Sequence, residues 1–394
     1  MAGKRNPLRS TLTVGLVAFA AFLIIAVSSF RLSPTREGTA GFDLIATSER
    51  PVFEPLEQRA SSPIESYSFR VKSGEDASCN NLYQSSQPKV LGVSSQFVGS
   101  FNNGESTLDS FRWSATSSTE SGDRFENPWR LLEEDFSDGA IPVVIDKNTA
   151  NYSLKIFAVG TDYRVEFDSG ESVLFRVVGL LEKSILQGSL IISEEHFVRQ
   201  FPSLYGYRQF LIRHSQSQAG SNQQRSNLES RDSFVDNIST ELEERYSDQG
   251  FDAESATALL AKFQQVQNTY ISTFQTLGAL GLLLGTFGLA VVQIRSVVER
   301  QKELGVMRSV GLSRGQLSWM VLLENAWLLG VGLFVGILAA LVTTLPHFLI
   351  GGASVPWLDL GVLFVVIIAF GLAAAWIASR VIAKLPLLAS LRSA

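Results

Sequence analysis

The sequence predicts an α+β membrane protein with four transmembrane helices in a 1+3 arrangement and a large extracytoplasmic α+β domain between the first and second helices. Three observations predict this fold. Four apolar runs each reach the roughly 20 residues needed to cross the hydrocarbon core of a bilayer. The long segment between the first two runs is acidic, whereas the rest of the chain is basic. That segment also alternates short β-like runs with turn residues.

The charge distribution indicates two compartments. Residues 32–268 hold 21 Lys and Arg against 34 Asp and Glu, a net charge of −13, whereas the remainder holds 12 against 4, a net charge of +8. An acidic block between basic, apolar flanks indicates that a membrane separates them. We therefore expect the chain to interact with a lipid bilayer and not with nucleic acid.

The positions of Lys and Arg orient the helices. They lie beside the apolar runs at both termini and in the 293–316 loop, and none lies in the 346–357 loop. Because cytoplasmic loops carry the excess of Lys and Arg, both termini and the 293–316 loop are predicted to be cytoplasmic in a multi-pass protein of the plasma (inner) membrane. The predicted segments are a cytoplasmic amino terminus (1–10), transmembrane helix 1 (11–30), the extracytoplasmic domain (31–251), a stalk helix continuous with transmembrane helix 2 (252–292), a cytoplasmic coupling loop (293–316), transmembrane helix 3 (317–345), an extracytoplasmic loop (346–357), transmembrane helix 4 (358–379) and a cytoplasmic tail (380–394).

The first apolar run has an alternative interpretation as a cleaved signal peptide, with Ala26 and Ser28 as the small residues before the cut. Its length exceeds the roughly 7–15 apolar residues that are usual in signal peptides. We therefore favour a retained helix.

The acidic domain shows strand patterns but no recognisable catalytic motif. Residues 141–181 predict several strands, residues 189–201 a strand running into a helix, and residues 232–247 an amphipathic helix. The histidines lack HExxH spacing, and neither a GxSxG elbow nor a GxxxxGK[ST] phosphate loop occurs. Cys79 is the only cysteine, so no intrachain disulfide is possible. We expect this chain to be non-catalytic and to bind neither a metal nor a cofactor.

A continuous helix is predicted between the acidic domain and the second apolar run. Its apolar residues recur at near-heptad spacing and define a seam: Leu259, Phe263, Val266 and Tyr270. Such a stiff stalk could carry movement across the membrane. The alternative is a helix that merely packs on its own domain.

Small residues in two of the predicted membrane helices favour close helix packing. They are Gly278, Gly281, Gly285 and Gly288 in the second run, and Gly332 and Gly336 in the third. Packing within one chain and a seam between two subunits both remain open. The third run also contains Glu324, and an unpaired charge inside a span costs about 2–3 kcal/mol. We expect this carboxylate to pair with a basic residue of the cytoplasmic loop or to be reached by water.

The segment ERQKELGVMRSVG, residues 299–311, combines good helix formers with two glycines. It fits either a helix at the membrane surface that docks a soluble partner or a basic loop that only sets topology. The segment resembles the cytoplasmic loop of FtsX-like permeases of the MacB type, whose pattern is approximately R-x-x-E-[IL]-G-x-x-[RK]-[AS]-[LIV]-G. The matching residues are Arg300, Glu303, Leu304, Gly305, Arg308, Ser309, Val310 and Gly311. The tail LPLLASLR at 385–392 and the 1+3 arrangement also resemble this family.

This resemblance implies the permease subunit of an ABC-type system, which binds a cytosolic ABC ATPase through the loop and relays its movement to the outer domain, a process called mechanotransmission. The implied docking residues are Glu299, Arg300, Lys302, Glu303, Leu304, Gly305, Arg308 and Gly311. ATP would be bound by the partner ATPase. A second permease subunit is also implied, in a homodimer or a heterodimer. Several segments resemble a subgroup with two such units per chain, of which this chain would be the C-terminal one.

Three functions remain open at this point. The first is export or extraction of a lipid, lipoprotein, peptide or drug, powered by a separate ATPase. The second is a transducer that moves no cargo and instead regulates an extracytoplasmic partner such as a cell-wall hydrolase. The third is a membrane-anchored binding module without an ATPase. No feature of the sequence identifies the cargo.

Overall fold

The structure is a computed structural model. It describes residues 7–54, 56, 64–75, 77–78, 85–101, 110–117, 127–167, 170, 172–214, 224–299, 306–307, 310–311, 313–351, 361, 365 and 369. Contacts divide the chain into two compact units. The helical unit comprises Met1–Leu32 and Gln267–Ala394, and the sheet unit comprises Ser33–Val266.

The α-helices described are α1 (Pro7–Ser29), α2 (Arg36–Thr39), α3 (Ser95–Gly99), α4 (Glu194–Gln200), α5 (Gln224–Arg245), α6 (Ala256–Glu299) and α7 (Arg314–Gly351). Short 3₁₀ turns occur at Pro128–Glu133 and Ser247–Gln249, and a π turn occurs at Thr149–Leu154.

The strands described are β1 (Leu44–Val52), β2 (Ile64–Lys72), β3 (Lys89–Val93), β4 (Trp113–Thr116), β5 (Ile141–Asp146), β6 (Asp162–Glu166), β7 (Ser172–Leu181), β8 (Ser189–Ser193), β9 (Tyr207–His214) and β10 (Phe251–Ser255). Within the described residues they form one mixed sheet in the order β10-β1-β9-β2-β3-β8-β5-β7-β4, with β6 paired to β7. This architecture confirms the predicted mixed α+β domain.

The centre of the sheet is buried on both faces. Every residue of β5 and β8 is buried, as expected for continuous apolar runs such as IPVVID. Successive side chains of a strand point to opposite faces. Val144 and Ile191 therefore join one apolar cluster, and Ile145 and Leu190 join the other.

An aromatic group dominates the first of these clusters. Trp129 is 1% exposed and lies 5.1–5.8 Å, between ring centroids, from each of Phe97, Phe101, Phe111 and Trp113. Asn127 caps its 3₁₀ turn: the side-chain Oδ1 accepts the backbone N–H of Trp129, and Nδ2 donates to the carbonyl of Val98. The side chain of Asn127 thus fixes the large indole in the core.

A third cluster joins α5 to the edge of the sheet. Ile238 and Leu242 are buried in it, and Phe234 is partly buried, as the amphipathic pattern predicts. The helix begins at Gln224, eight residues earlier than the periodicity indicated. The polar residues before Asp232 carry no periodic signal, which is why the pattern missed them.

The stalk helix also differs from its predicted bounds. Residues 251–255 form β10, which pairs antiparallel with β1, so α6 begins at Ala256 rather than at 252. At its other end α6 continues to Glu299, beyond the predicted limit of 292. It is a single helix of 44 residues, about 66 Å long at 1.5 Å per residue.

The described residues cover only part of the four predicted membrane spans. Within the described residues one helical segment, Ala326–Leu345, is long and apolar enough to cross a membrane, and Val14–Ser29 is a shorter apolar helix. The side chains of the second predicted span lie largely outside the described residues, as does the fourth span except for residues 361, 365 and 369. The helix α7 extends to Gly351, into the predicted 346–357 loop.

Candidate functional site

Glycines bring α1 and α7 into close contact within the helical unit. A Cβ added to Gly336 would lie 2.5 Å from the carbonyl oxygen of Ala18 and 2.8 Å from Cβ of Ala21. One added to Gly332 would lie 2.9 Å from Cβ of Val17. Only glycine permits this separation, and small residues are what apolar helices use to pack closely. These two glycines therefore pack within the chain.

Polar side chains tie α6 to the end of α1. The backbone N–H of Leu32 donates to Asn268 Oδ1 at 2.9 Å, and Asn268 Nδ2 donates to the carbonyl of Leu32 at 2.8 Å. Two turns further along α6, Gln275 Nε2 donates to Ser28 Oγ at 2.9 Å. Reciprocal bonds of this kind fix the two backbones in register. An Asn within an apolar periodic run was the sequence signal for this contact, and it was overlooked.

Large apolar side chains lie exposed on the helical unit. Among them are Phe19, Phe274, Leu277, Trp319, Trp327, Phe334 and Leu341, all more than half exposed. Large apolar side chains exposed in this number favour an interaction with protein or membrane. Because they occur on α1, α6 and α7, they suit contact with lipid.

The predicted ATPase-docking loop is described only at its edges. Arg300, Lys302, Glu303, Leu304, Gly305 and Arg308 lie outside the described residues, and of Glu299 the structure gives only its place at the end of α6. Val310 N donates to the carbonyl of Val306 at 3.2 Å, an α-helical bond, and both valines are more than half exposed. The φ of Gly311 is +108°, so this glycine ends the turn.

A capping box starts α7 directly after this loop. Ser313 Oγ accepts the backbone N–H of Gln316 at 3.3 Å, and Gln316 Oε1 accepts the backbone N–H of Ser313 at 2.9 Å. These reciprocal bonds satisfy two amide groups that a helix start leaves unpaired. These bonds cap α7 at Ser313, two residues after Gly311, the last of the predicted docking residues.

Two further groups of predicted residues have no described surroundings. Gly278, Gly281, Gly285 and Gly288 lie in α6 and Glu324 lies in α7, but the environment of each is outside the described part of the chain. Their predicted roles in helix packing and in charge pairing stay predictions.

The first turns of α6 pack on the sheet through a face adjacent to the predicted seam. Ala256 and Leu260 are buried in the first apolar cluster, and Leu259 is partly buried beside it. Farther along, Val266 is 39% and Tyr270 is 63% exposed. A heptad pattern assumes a helical neighbour, whereas the neighbour of these first turns is a sheet. The structure thus agrees, for these turns, with the alternative in which the helix packs on its own domain.

Ser193, His196 and Asp135 form a hydrogen-bonded chain that resembles a hydrolase triad. Ser193 Oγ lies 2.7 Å from His196 Nδ1, and His196 Nε2 lies 3.1 Å from Asp135 Oδ1. Ser193 Oγ also accepts the backbone N–H of His196 as the N-cap of α4, and Ser193 is only 6% exposed. A buried hydroxyl that caps a helix is not open to a substrate. We therefore infer that these hydrogen bonds stabilise α4.

A fully buried carboxylate lies at the end of β5. Asp146 Oδ1 accepts the backbone N–H of Asn148 at 2.9 Å, and Oδ2 accepts the backbone N–H of Ser184 at 2.8 Å. Burial raises the pKa of Asp146 to about 6, although these hydrogen bonds oppose the rise. Within the described residues no group of three or more His, Cys, Asp and Glu side chains could hold a metal ion. Asp146 therefore stabilises the turn after β5 and links it to the segment after β7.

Comparison with known proteins identifies the last third of the chain. Residues 276–387 match the family described as FtsX-like permease C-terminal. The macrolide export ATP-binding/permease protein MacB of Hyphomonas neptunium is 26% identical over 93 residues, which are 24% of this chain and 14% of that protein. The uncharacterized ABC transporter permease YknZ of Bacillus subtilis is 32% identical over 84 residues, 21% of this chain and 20% of that protein. The matches thus span a fifth or less of these relatives.

Two solved structures are similar to a larger part of the chain at low scores. The periplasmic region of MacB from Actinobacillus actinomycetemcomitans has a TM-score of 0.28 at 12% identity and covers 59% of this chain and 95% of that one. The extracellular domain of YknZ from Gram-positive bacteria has a TM-score of 0.23 at 9% identity and covers 56% and 84%. Similarities this weak support no statement about the sheet unit.

Proposed function

We propose that this protein is the membrane subunit of an ABC-type system, because its residues 276–387 match the FtsX-like permease C-terminal family. It would relay the movement of a separate ATPase to an extracytoplasmic sheet unit, for export or extraction of a lipid, lipoprotein, peptide or drug. ATP would bind to the partner and not to this chain, and the chain itself would be non-catalytic. A second permease subunit would complete the assembly.

The observation that carries this proposal is the position of the charged motif at 299–311. It lies inside the matched FtsX-like segment, between the end of α6 and the capped start of α7. Both helices are long and largely apolar. A protein that binds this segment would therefore act directly on two helices at once.

The length of α6 supports the mechanical part of the proposal. The helix runs from Ala256, buried beside the sheet, to Glu299 without a break. Because the helix has no break, we expect it to carry along its axis part of a displacement applied at Glu299. The exposed apolar side chains of the helical unit support placement in the plasma membrane. The positions of Lys and Arg favour an orientation with both termini cytoplasmic.

Docking can be tested with Glu303→Lys in the full chain, purified in nanodiscs and titrated with candidate cytosolic ABC ATPases. We expect ATPase affinity to fall by at least about tenfold, since losing one partner of an interfacial charge pair costs roughly 2–5 kcal/mol. The control is Gln301→Lys, which adds a lysine at a position where the family pattern accepts any residue. ATP hydrolysis by the complex should fall with binding in the first variant and stay unchanged in the second.

Two results would contradict the proposal. One is equal ATPase binding by Glu303→Lys, Gln301→Lys and the unaltered chain. The other is exposure of residues 299–311 on the extracytoplasmic side, measured by reaction of single introduced cysteines with a membrane-impermeant reagent.

A further inference from the structure

The two places where the chain crosses between its units are joined within the helical unit. The chain leaves this unit after Leu32 and returns to it at Gln267. The backbone N–H and the carbonyl of Leu32 are both bonded to the side-chain amide of Asn268, at 2.9 and 2.8 Å respectively. One amide side chain therefore holds the last residue before the first crossing against the second residue after the return.

The face of α6 that carries Asn268 is the one that packs within the helical unit. Every residue from 267 to 277 is exposed except Asn268, Ile271 and Gln275, which are partly buried. Their spacing of three and then four residues places them on one face of the helix. Gln275 Nε2 donates to Ser28 Oγ in α1. Two of the three residues on this face are thus amides that hydrogen-bond to α1 or to the residues directly after it.

The helix α1 is also held closely to α7. Gly332 and Gly336 bring the two helices together, and Ile25 packs with Ala340 farther along both. The helix α1 thus contacts both of the helices that flank the charged motif at 299–311. A movement of α6 relative to α1 is therefore also a movement relative to α7.

Hydrogen bonds between helices resist sliding in a way that apolar contacts do not. The hydrophobic effect is non-directional, so apolar side chains can change neighbours at little cost. Polar contacts between membrane helices favour association by about threefold on average and up to about twentyfold each. To slide past α1, α6 must break the two bonds of Asn268 and the one of Gln275.

We propose that Asn268 is a positioning residue that ties α6 to the end of α1, so that both crossings into the sheet unit are displaced together. Without these bonds, a displacement of α6 would reach the sheet unit through one crossing only, and α1 would stay behind. This inference rests on the proposed function, because it names a residue through which the displacement of α6 is passed to a second segment of the chain.

The first test is Asn268→Leu in the full chain in nanodiscs, measured by hydrogen exchange. The Leu32 amide should exchange at least about tenfold faster, because leucine cannot accept its hydrogen bond. The matched control is Thr273→Val on the exposed side of α6, where the hydroxyl of Thr273 donates to the carbonyl of Thr269 in the same helix. We expect this control to leave the exchange of Leu32 unchanged.

A pair of spin labels tests whether the two helices move together. Phe19→Cys on α1 and Gln267→Cys on α6 change exposed residues, in a chain that also carries Cys79→Ser. When a bound ATPase passes from its nucleotide-free to its ATP-bound state, we expect the distance between the labels to shift by less than about 1.5 Å, the rise of one helical residue. Adding Asn268→Leu should broaden the distance distribution and shift its mean by more than this.

ATPase affinity separates this inference from the proposed function. Asn268 lies about 46 Å along α6 from Glu299, so Asn268→Leu should leave the affinity unchanged, whereas Glu303→Lys should lower it. If no ATPase bound the unaltered chain, the proposed function would fail, and the exchange of Leu32 and the width of the distance distribution would still decide whether the tie exists. Unchanged Leu32 exchange in Asn268→Leu, equal effects of Thr273→Val, or the same label distances with and without Asn268→Leu would each overturn the inference.

Discussion

In the sheet unit Trp129 is 1% exposed and contacts four other aromatic rings, whereas in the helical unit Trp327 is 74% exposed. The same contrast runs through both units. Leu, Ile, Val and Phe of the sheet unit collect in buried clusters, whereas no described Leu, Ile, Val or Phe side chain of α7, or of α6 beyond Val266, is fully buried. One unit is built to exclude water from its own interior, and the other presents its apolar surface outward. The difference indicates that the two units are solvated by different media.

Truncating one tryptophan in each unit should give the largest difference between the two units. Trp129→Ala should lower the free energy of unfolding of the sheet unit by about 3–5 kcal/mol, since it leaves a large cavity in a packed core. Trp327→Ala should change the stability of either unit by less than about 1 kcal/mol, because the side chain makes few contacts within the chain. Hydrogen exchange of the full chain, reconstituted in nanodiscs, measures both effects, with the β5 amides reporting on the sheet unit and the α7 amides on the helical unit. Equal losses in the two variants would contradict the contrast.

Asp146 tests whether the interior of the sheet unit excludes water, because its carboxylate is fully buried there. Its pKa of about 6 in the folded state lies above its ordinary value of 3.8. Between these values the unfolded chain is ionised while the folded chain keeps the proton, so stability falls as pH rises through this window and is constant above it. The shift corresponds to about 3 kcal/mol at 1.36 kcal/mol per pH unit.

The measurement is the difference in unfolding free energy between the unaltered chain and Asp146→Asn, followed from pH 3.5 to 7. Taking the difference cancels the other titrating groups. We expect the unaltered chain to lose about 3 kcal/mol relative to the variant across this range. A difference independent of pH would mean that the carboxylate is as well stabilised inside as in water.

The sequence predicted what depends on local pattern. The alternation and apolar runs of 141–181 became β5, β6 and β7, residues 189–201 became β8 followed by α4, and the apolar face of α5 is buried as expected. The motif at 300–311 placed the chain near the FtsX-like permeases, and the match over 276–387 confirms that resemblance.

What the sequence did not predict depends on partners far along the chain. The segment FDAES reads as the start of a helix until β1 pairs with it, more than 200 residues away. The Ser193, His196 and Asp135 chain joins residues 61 apart, with no motif to connect them. Local periodicity carries no information about such pairings.

The smallest of the expected effects concerns how closely the helices of the helical unit pack. Gly336→Ala would place a methyl group 2.5 Å from the carbonyl oxygen of Ala18, so α1 and α7 must separate. Overpacking of this kind costs about 1–3 kcal/mol. The thermal unfolding midpoint of the full chain in nanodiscs, followed by helical circular dichroism, should fall accordingly.

The control lies on the same helix. Nothing is within 4 Å of a Cβ added to Gly330, so Gly330→Ala introduces the same methyl group without a clash. Alanine is favoured over glycine within a helix by about 1 kcal/mol, so this variant should be neutral or stabilising. If both variants shifted the midpoint equally, glycine would matter only for helix flexibility, and the helical unit would have no close internal contact at this point. Opposite shifts would show that the unit has a specific internal contact of its own, even though most of its apolar surface faces outward.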